Sequence, residues 1–354
     1  MAKRLSNGSI TIKDIAAECG VSVSTVSNAL NGKLNKVSKD VYDRILSVVE
    51  EKGYKPNYLA KNLRSLTTKT IGVIVEDLIL FSTAPIVEGI MDRAEELGYN
   101  VVIENARLFG RWKDKWMRDE DLFQSALVPV LNKMNALHVD GIVYVGGFEH
   151  EVSIPYMPEG IPFAMVYAAS QDKDIPSFRL DDEKGGYDVY KYLRSMGHKK
   201  IAIIAGESSN SHTVNRLRGI QRAMFEEQVL FDPSLVIYQT WNKEGGYKGM
   251  EALAKEDITA VMCMSDVIAS GAYTYLYEQG KRPGEDLAII GYDNHEVSTL
   301  LYPQLSTVDL PLVKIGSEAV SWVIGNVEHD KDEIFNKDIR IAGKLIIRDS
   351  VYKI

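Results

Sequence analysis

Two folds are predicted in this one chain: a small all-α helix-turn-helix head with a short further helix behind it, and a two-lobed α/β body built on parallel sheets. Three observations predict them. Residues 11 to 56 carry helical apolar spacing interrupted by turns at Gly20 and Gly53. From residue 70 onward, short β-branched runs alternate with longer helical patterns, as in parallel sheets covered by helices. That alternation runs through two successive series, which implies two lobes with a cleft where strand ends converge.

In the head, Ile12, Ile15 and Ala16 recur at i, i+3, i+4 and line one face of a first helix. Cys19-Gly20-Val21 forms a tight turn. Ser22 then caps a second helix, whose Val26 and Leu30 pack back on the first. Its other face is left with Val23, Ser24, Thr25, Ser27 and Asn28, short polar or methyl-bearing side chains of a size that enters a major groove. A third helix runs from Ser38 with apolar positions Val41, Ile45, Val48 and Val49, and stops at Gly53. Pro56 breaks any continuation, and Tyr58 to Ser65 reads as a single amphipathic helix too short to be stable alone.

The body opens with a strand at 70–75, a helix from Pro85 to Leu97, and strands at 100–104, 140–145 and 163–167. Further strands fall at 200–205, 235–238, 260–264 and 287–291. Chain crossovers between the lobes are expected near 168–175 and 297–310. The expected division is a head at 1–56, a hinge at 57–69 and a body at 70–354. Within the body, one lobe takes about 70–168 plus 297–325 and the other about 169–296 plus 326–354.

Charge separates the two parts. Of the chain's net −8, the first 64 residues hold eight lysines and three arginines against three aspartates and three glutamates, a net of +5. The remainder therefore carries −13. A basic head on an acidic body suits a protein that meets phosphate at one end. With 45% hydrophobic residues and no apolar run near the ~20 residues of a membrane span, no membrane partner is expected. No signal-peptide core follows the first residues, and only Cys19 and Cys263 are present, in separate predicted domains, which points to the cytoplasm and not to a disulfide framework.

In order and spacing, Thr11-Ile-Lys-Asp-Ile-Ala, Val21-Ser-Val-Ser-Thr-Val-Ser-Asn, Gly53-Tyr-Lys-Pro-Asn and Ala60-Lys-Asn-Leu-Arg resemble the head of the LacI/GalR family of bacterial transcription regulators. The body resembles the same family at Gly197-His-Lys-Lys-Ile-Ala, Arg216-Leu-Arg-Gly219, Ser265-Asp-x-x-Ala-x-Gly271, Asp286-Leu-Ala-Ile-Ile-Gly-Tyr-Asp293 and Leu305-Ser-Thr-Val-Asp309. The resemblance implies a periplasmic-binding-protein-like body and a homodimer on a pseudo-palindromic, double-stranded operator. It implies base contacts from Val23, Ser24 and Asn28, and a hinge helix whose Leu63 wedges into the minor groove beside Arg64. Thr11, Ser22, Thr25, Ser27, Asn31, Tyr54, Asn57 and Ala60 complete the DNA-facing set it implies. In the cleft it implies effector contacts from Arg216 and Asp293, an aromatic platform from Trp241, a polar strand end at Tyr167, and Pro85. Such a constellation suits sugars: a guanidinium donates to vicinal hydroxyls, a carboxylate accepts from them, and indole packs on a pyranose C–H face.

The sequence departs from the family at two places. Ser265 stands where relatives commonly carry Asn, and Asp266 reads as a helix-cap residue. Residues 108–123, with Trp112 and Trp116 among charges, are about ten longer than the family's usual region, fitting either a cover for the cleft mouth or an extended amphipathic helix.

The expected function is thus an effector-controlled repressor of carbohydrate-utilisation genes, with a sugar-type ligand. A purine-type effector or corepressor in the same architecture is the alternative. A periplasmic-type sugar-binding protein would need a signal peptide and no basic head. An enzyme is not expected: Gly-x-Ser-x-Gly, P-loop, Gly-x-Gly-x-x-Gly and His-Glu-x-x-His patterns are all absent, so no catalytic residue, metal or cofactor is assigned. The adjacent Glu149-His150-Glu151 does not converge on one metal without outside ligands.

Overall fold

The structure is a computed structural model that describes residues 10–30, 32–54, 67–113, 115–157, 160–172, 174–328 and 337–354. It divides into two compact units, Met1–Thr68 and Lys69–Ile354.

The head unit consists of α1 (Ile12–Glu18), α2 (Val23–Leu30) and α3 (Lys39–Lys52). Thr11 begins α1 with a capping box: its hydroxyl accepts from the Asp14 amide at 3.4 Å, and the Asp14 carboxylate accepts from the Thr11 amide at 2.7 Å. Gly20 takes φ 62° at the turn into α2, a conformation glycine enters without Cβ strain. Ile15, Ala16, Val26, Ala29 and Ile45 fill the core between the three helices. Leu30 packs against that core while only half-buried.

The second unit holds two parallel sheets. The first has the order β13-β7-β5-β3-β1-β2 and contains β1 (Thr70–Val75), β2 (Asn100–Asn105), β3 (Gly141–Val145), β5 (Phe163–Val166), β7 (Ser177–Leu180) and β13 (Asp338–Ile341). The second has the order β11-β10-β8-β9, from β8 (Ile201–Ala205), β9 (Val236–Tyr238), β10 (Ala260–Cys263) and β11 (Ala288–Ile290). Every ladder in these two sheets is parallel. Helices α4 (Thr83–Glu96) and α12 (Leu312–Val327) pack on the first sheet. On the second lobe, α7 (Asp182–Ser195) packs against α8 (Ser211–Glu226), and α9 (Lys243–Ala252) against α10 (Asp266–Glu278).

The first crossover lies later than the expected 168–175, and a further passage follows β13 near the end of the chain. Strand β7 bonds to β5 and β13 bonds to β7, so residues 177–180 and 338–341 belong to the first lobe's sheet. Helix α12 joins the same lobe. The chain therefore passes between lobes around 181, 310 and 342. A small antiparallel pair, β12 (Thr307–Asp309) with β14 (Lys344–Ile346), braces the last two passages.

Residues 108–123 do not form one extended helix. They fold as α5 (Leu108–Trp112), a 3₁₀ turn at Lys115–Arg118 and the start of α6 (Glu120–Ala136). Trp116 is buried against Phe123, Phe148 and His150, with ring centroids 6.0, 6.2 and 5.5 Å away. The Gly110 amide donates to the Asp77 carboxylate at 2.8 Å, which ties the stretch to the end of β1.

Candidate functional site

Residues that follow strands of both lobes gather around the buried Arg216: Tyr167 after β5 reaches His212, one turn before it, while Met264 after β10 and Asp293 after β11 meet its guanidinium. The position of Arg216 follows from the contact of α7 with α8. A Cβ on Gly219 would fall 1.8 Å from the Glu183 carbonyl oxygen, and one on Gly186 would fall 2.2 Å from that of Arg216, so the two helix backbones approach closer than any side chain allows. This brings Arg216, on α8, against Asp182 at the start of α7.

Arg216 is 1% exposed. Its Nε donates to Asp182 Oδ1 at 2.7 Å and its Nη1 to the Met264 carbonyl, while Nη2 lies 3.9 Å from Asp293 Oδ1. The guanidinium also stacks on Tyr292, 3.6 Å from the ring centroid, and lies 5.8 Å from that of Trp241. Burial pulls the guanidinium pKa down, but Asp182, Tyr292 and Asp293 outweigh it and push it above the ordinary value, so it stays charged. Asp182 is fully buried; burial opposes its charge, and Arg216 and His212 more than compensate, holding the carboxyl well below the usual range. Asp293 has the reverse balance, with burial pushing it well above the ordinary carboxylate value despite Arg216.

His212 connects the lobes. Its Nδ1 donates to Asp182 Oδ2 at 2.6 Å, and its Nε2 accepts from the Glu149 amide at 3.3 Å. Those two partners select the neutral Nδ1–H tautomer. The Tyr167 ring, at the end of β5, lies 5.3 Å from the His212 ring. A second interlobe contact is made by Phe81 and His295, edge to face at 5.9 Å. Backbone strain collects at the same place: Tyr167 has φ 57°, Asp293 φ 109° and Asn294 φ 50°.

Of the six residues expected at the effector, the structure thus joins Tyr167, Arg216, Trp241 and Asp293 in one region. Trp241 is half-buried and lies over Gly206, where a Cβ would meet the indole at 2.0 Å; its Nε1 has no hydrogen-bond partner among the described residues. Pro85 sits in the first turn of α4, half-buried. Ser265 is the N-cap of α10, its hydroxyl accepting from the Ile268 amide at 3.1 Å. That corrects the reading of Asp266 as the cap. Asp266 is the first helical residue and accepts instead from the Thr307 hydroxyl at 2.6 Å and the His295 amide at 2.8 Å. Burial, only partly offset by these bonds, pushes its pKa up to about 7.

Sequence reasoning missed Asp182, His212 and Tyr292. His212 lies one helical turn before Arg216 and Tyr292 directly precedes Asp293, so spacing alone carried a signal for both. The ligand atoms of Glu149, Asp182 and His212 also lie within 4.8 Å of one another.

In the head, Ser22 is exposed and its hydroxyl accepts from the Thr25 amide at 3.1 Å, as expected of a cap. Ser24 is exposed on α2, Thr25, Ser27 and Asn28 are half-buried, and Val23 packs partly into the head core. Thr11 is occupied by its capping box. Tyr54 is half-buried against the head core. Asn31, Asn57, Ala60, Leu63 and Arg64 lie outside the described residues.

Comparison with known proteins adds the lineage. Residues 11–57 match the model of bacterial regulatory proteins of the lacI family, and residues 190–351 that of the periplasmic binding protein-like domain. The HTH-type transcriptional repressor PurR of Haemophilus influenzae (strain PittEE) is 32% identical over 353 residues, 97% of this chain and 99% of that one. The chain belongs to the LacI family. The ribose operon repressor of Haemophilus influenzae (strain ATCC 51907 / DSM 11121 / KW20 / Rd) is also similar, 30% identical over 97% of this chain and 99% of its own. The structure of the lac repressor dimer bound to operator and the anti-inducer ONPF matches with a TM-score of 0.76 at 23% identity, covering 97% of this chain and 99% of that chain. The two-unit LacI-family fold is therefore the one observed, and the protein is a DNA-binding transcription regulator whose named relatives are repressors.

Proposed function

We propose that this regulator is a repressor that binds a pseudo-palindromic operator as a homodimer, with operator affinity set by a sugar-type effector in the interlobe cleft. The observation that carries the effector reading is the buried Arg216 guanidinium facing Asp293 beside the Trp241 indole. A planar donor, a carboxyl group and an aromatic face match the vicinal hydroxyls and C–H face of a sugar ring. Tyr167 and Pro85 border the ligand from the first lobe, and Ser265 from the second.

In the head, Val23, Ser24 and Asn28 read base edges, with Thr11, Ser22, Thr25, Ser27, Asn31 and Tyr54 on the phosphates. Asn57, Ala60, Leu63 and Arg64 form the hinge contact in the minor groove. The protein acts in the cytoplasm and performs no catalysis. Both cysteines are free and buried, and among the described residues no helix is long and apolar enough to cross a membrane.

A thermal-shift panel of monosaccharides, disaccharides and purines on the wild type and Trp241→Ala tests the effector. Binding to the native state raises the midpoint by mass action, so a sugar should shift the wild type and lose its shift in the variant. A shift with purines alone overturns the sugar reading. For the head, Asn28→Ala should weaken binding to a selected operator by about 1–3 kcal/mol in fluorescence anisotropy, with binding to unrelated duplex unchanged.

A further inference from the structure

The turn after β11 carries Asp293 toward Arg216 and His295 toward Phe81 of the other lobe, and it runs beside β12. The Asp293 amide donates to the Val308 carbonyl at 2.9 Å, and the Asn294 amide donates to the Thr307 hydroxyl at 3.2 Å. That hydroxyl in turn donates to Asp266 at 2.6 Å. The backbone next to the cleft carboxyl is therefore fixed to a strand that braces the passages between lobes.

The Asn294 side chain extends this tie to the last passage. Its Nδ2 donates to Asp309 Oδ1 on β12 at 2.9 Å. Its Oδ1 accepts from Nη2 of Arg348, two residues beyond β14, at 2.7 Å. The two partners dictate how the amide is turned: exchanging N and O would set an acceptor against a carboxylate and a donor against a guanidinium. The other arm of Arg348, Nη1, is held by the Leu305 carbonyl at 2.7 Å and the Ser298 hydroxyl at 3.2 Å. Among the described residues Asp309 and Arg348 form no ion pair with each other, so their opposite charges meet through the Asn294 amide. Bonds of this kind, to charged groups, are about twice as strong as neutral ones.

The backbone supports the same reading. Asn294 has φ 50°, in the left-handed region where glycine is the residue without penalty. Glycine would relieve the turn but would delete both side-chain bonds. Asparagine is instead held in a strained conformation by the passages on either side of it.

We propose that Asn294 is a positioning residue that couples the cleft to the lobe crossing, tying the turn that bears Asp293 to β12 and to the segment after β14. A ligand that moves Asp293 then moves both passages, through a continuous set of hydrogen bonds. This rests on the effector reading of the Arg216–Asp293 cleft and adds how occupancy changes the angle between the lobes.

Asn294→Gly tests it, because glycine keeps the left-handed turn while removing both bridging bonds. Hydrogen–deuterium exchange on the full chain should speed up at residues 304–310 and 344–349 by at least about tenfold, the scale of one bond to a charged group, with β1 unchanged. Operator titrations with saturating ribose, glucose, galactose or guanine read the coupling itself. A compound that changes wild-type operator affinity, by about 5–150-fold in ordinary allostery, should do so in the variant by no more than about threefold. By reciprocity, calorimetry of that compound should give nearly equal affinities for the free and the operator-bound variant. Asp309→Ala, which removes one end of the bridge, should reproduce most of the loss. A variant that keeps the full wild-type response overturns the proposal, whether or not its exchange is faster, because Asn294 would then serve the fold alone. If none of the four compounds acts on the wild type, the effector reading fails by itself. Exchange then decides the tie separately: faster exchange in the variant supports it and unchanged exchange overturns it.

Discussion

Asp182→Asn tests how the cleft is held together. The carboxylate is wholly buried and receives two donors, Arg216 Nε at 2.7 Å and His212 Nδ1 at 2.6 Å. Asparagine keeps one accepting oxygen and turns an N–H₂ toward the other donor. Arg216 would then retain the Met264 carbonyl and an Asp293 carboxyl 3.9 Å away. Breaking a buried ion pair from one side costs about 3–5 kcal/mol, because the remaining charge stays desolvated. The exposed Glu183–Arg222 pair has almost the same separation, 2.7 Å, yet Glu183→Gln should cost under about 1 kcal/mol, since water screens both partners. All four tryptophans, Trp112, Trp116, Trp241 and Trp322, lie beyond the head, so their fluorescence during urea unfolding reports the second unit alone. With a slope of about 2–3 kcal/mol per M, the Asp182→Asn midpoint should fall by about 1–2 M. Replacing both partners, Asp182→Asn with Arg216→Met, should recover part of that loss. Since the folded carboxyl is held below its ordinary value of 3.8, its contribution is complete above that value and disappears as pH falls through the folded pKa. The gap between wild type and variant should therefore be flat from about pH 7 to 5 and close only below about pH 4. A midpoint shift no larger than that of Glu183→Gln would refute the argument.

Asp266 predicts the opposite slope. Its folded pKa is raised from 3.8 to about 7, so its contribution is present at low pH and is lost as pH rises through that interval. Wild-type stability should decline from about pH 4 to 7, by on the order of 1.4 kcal/mol for each pH unit between those two values, and Asp266→Asn should flatten that segment in urea titrations at each pH. Gly219→Ala places a methyl 1.8 Å from the Glu183 carbonyl oxygen, so α7 and α8 must separate. It should cost about 1–3 kcal/mol or more by chemical denaturation and should weaken the effector as well, because the same separation moves Arg216 away from Asp182.

The strands of both sheets that are rich in β-branched residues were legible in the sequence, because burial on both faces demands near-continuous apolar runs. Ser177–Leu180 and Asp338–Ile341 were not. Each carries an arginine, Arg179 or Arg340, and each is only four residues long, so what makes them strands is pairing with a neighbour distant in the chain. That omission shifted the expected crossovers. At the site, Arg216, Asp293, Trp241 and Tyr167 were visible through family-like motifs, whereas Asp182 reads as one more acidic residue at a helix start. Its neighbour Asp181 does cap α7, accepting from the Lys184 amide at 3.0 Å, so local pattern cannot separate the two roles. Only the close approach of α7 and α8 makes Asp182 the partner of Arg216.

The late position of β13 bears on how the molecule is made. The second lobe's four strands lie between residues 201 and 290, but the Ile289 amide at its β11 edge donates to the Ser350 carbonyl, so the end of the chain completes this lobe too. The first lobe's sheet begins at residue 70 but gains its last edge strand only at 338–341. On a translating ribosome both lobes therefore wait for the last residues: the first for its outer helix and edge strand, the second for the segment that bonds to β11. A chain interrupted near residue 300 would contain the head and the four strands of the second sheet, but it would lack Ser306 and Ser350 on β11 and leave the β7 edge and the surface meant for α12 uncovered. Such a fragment is a substrate for proteolysis, so prematurely ended products should be cleared before they compete for operator DNA.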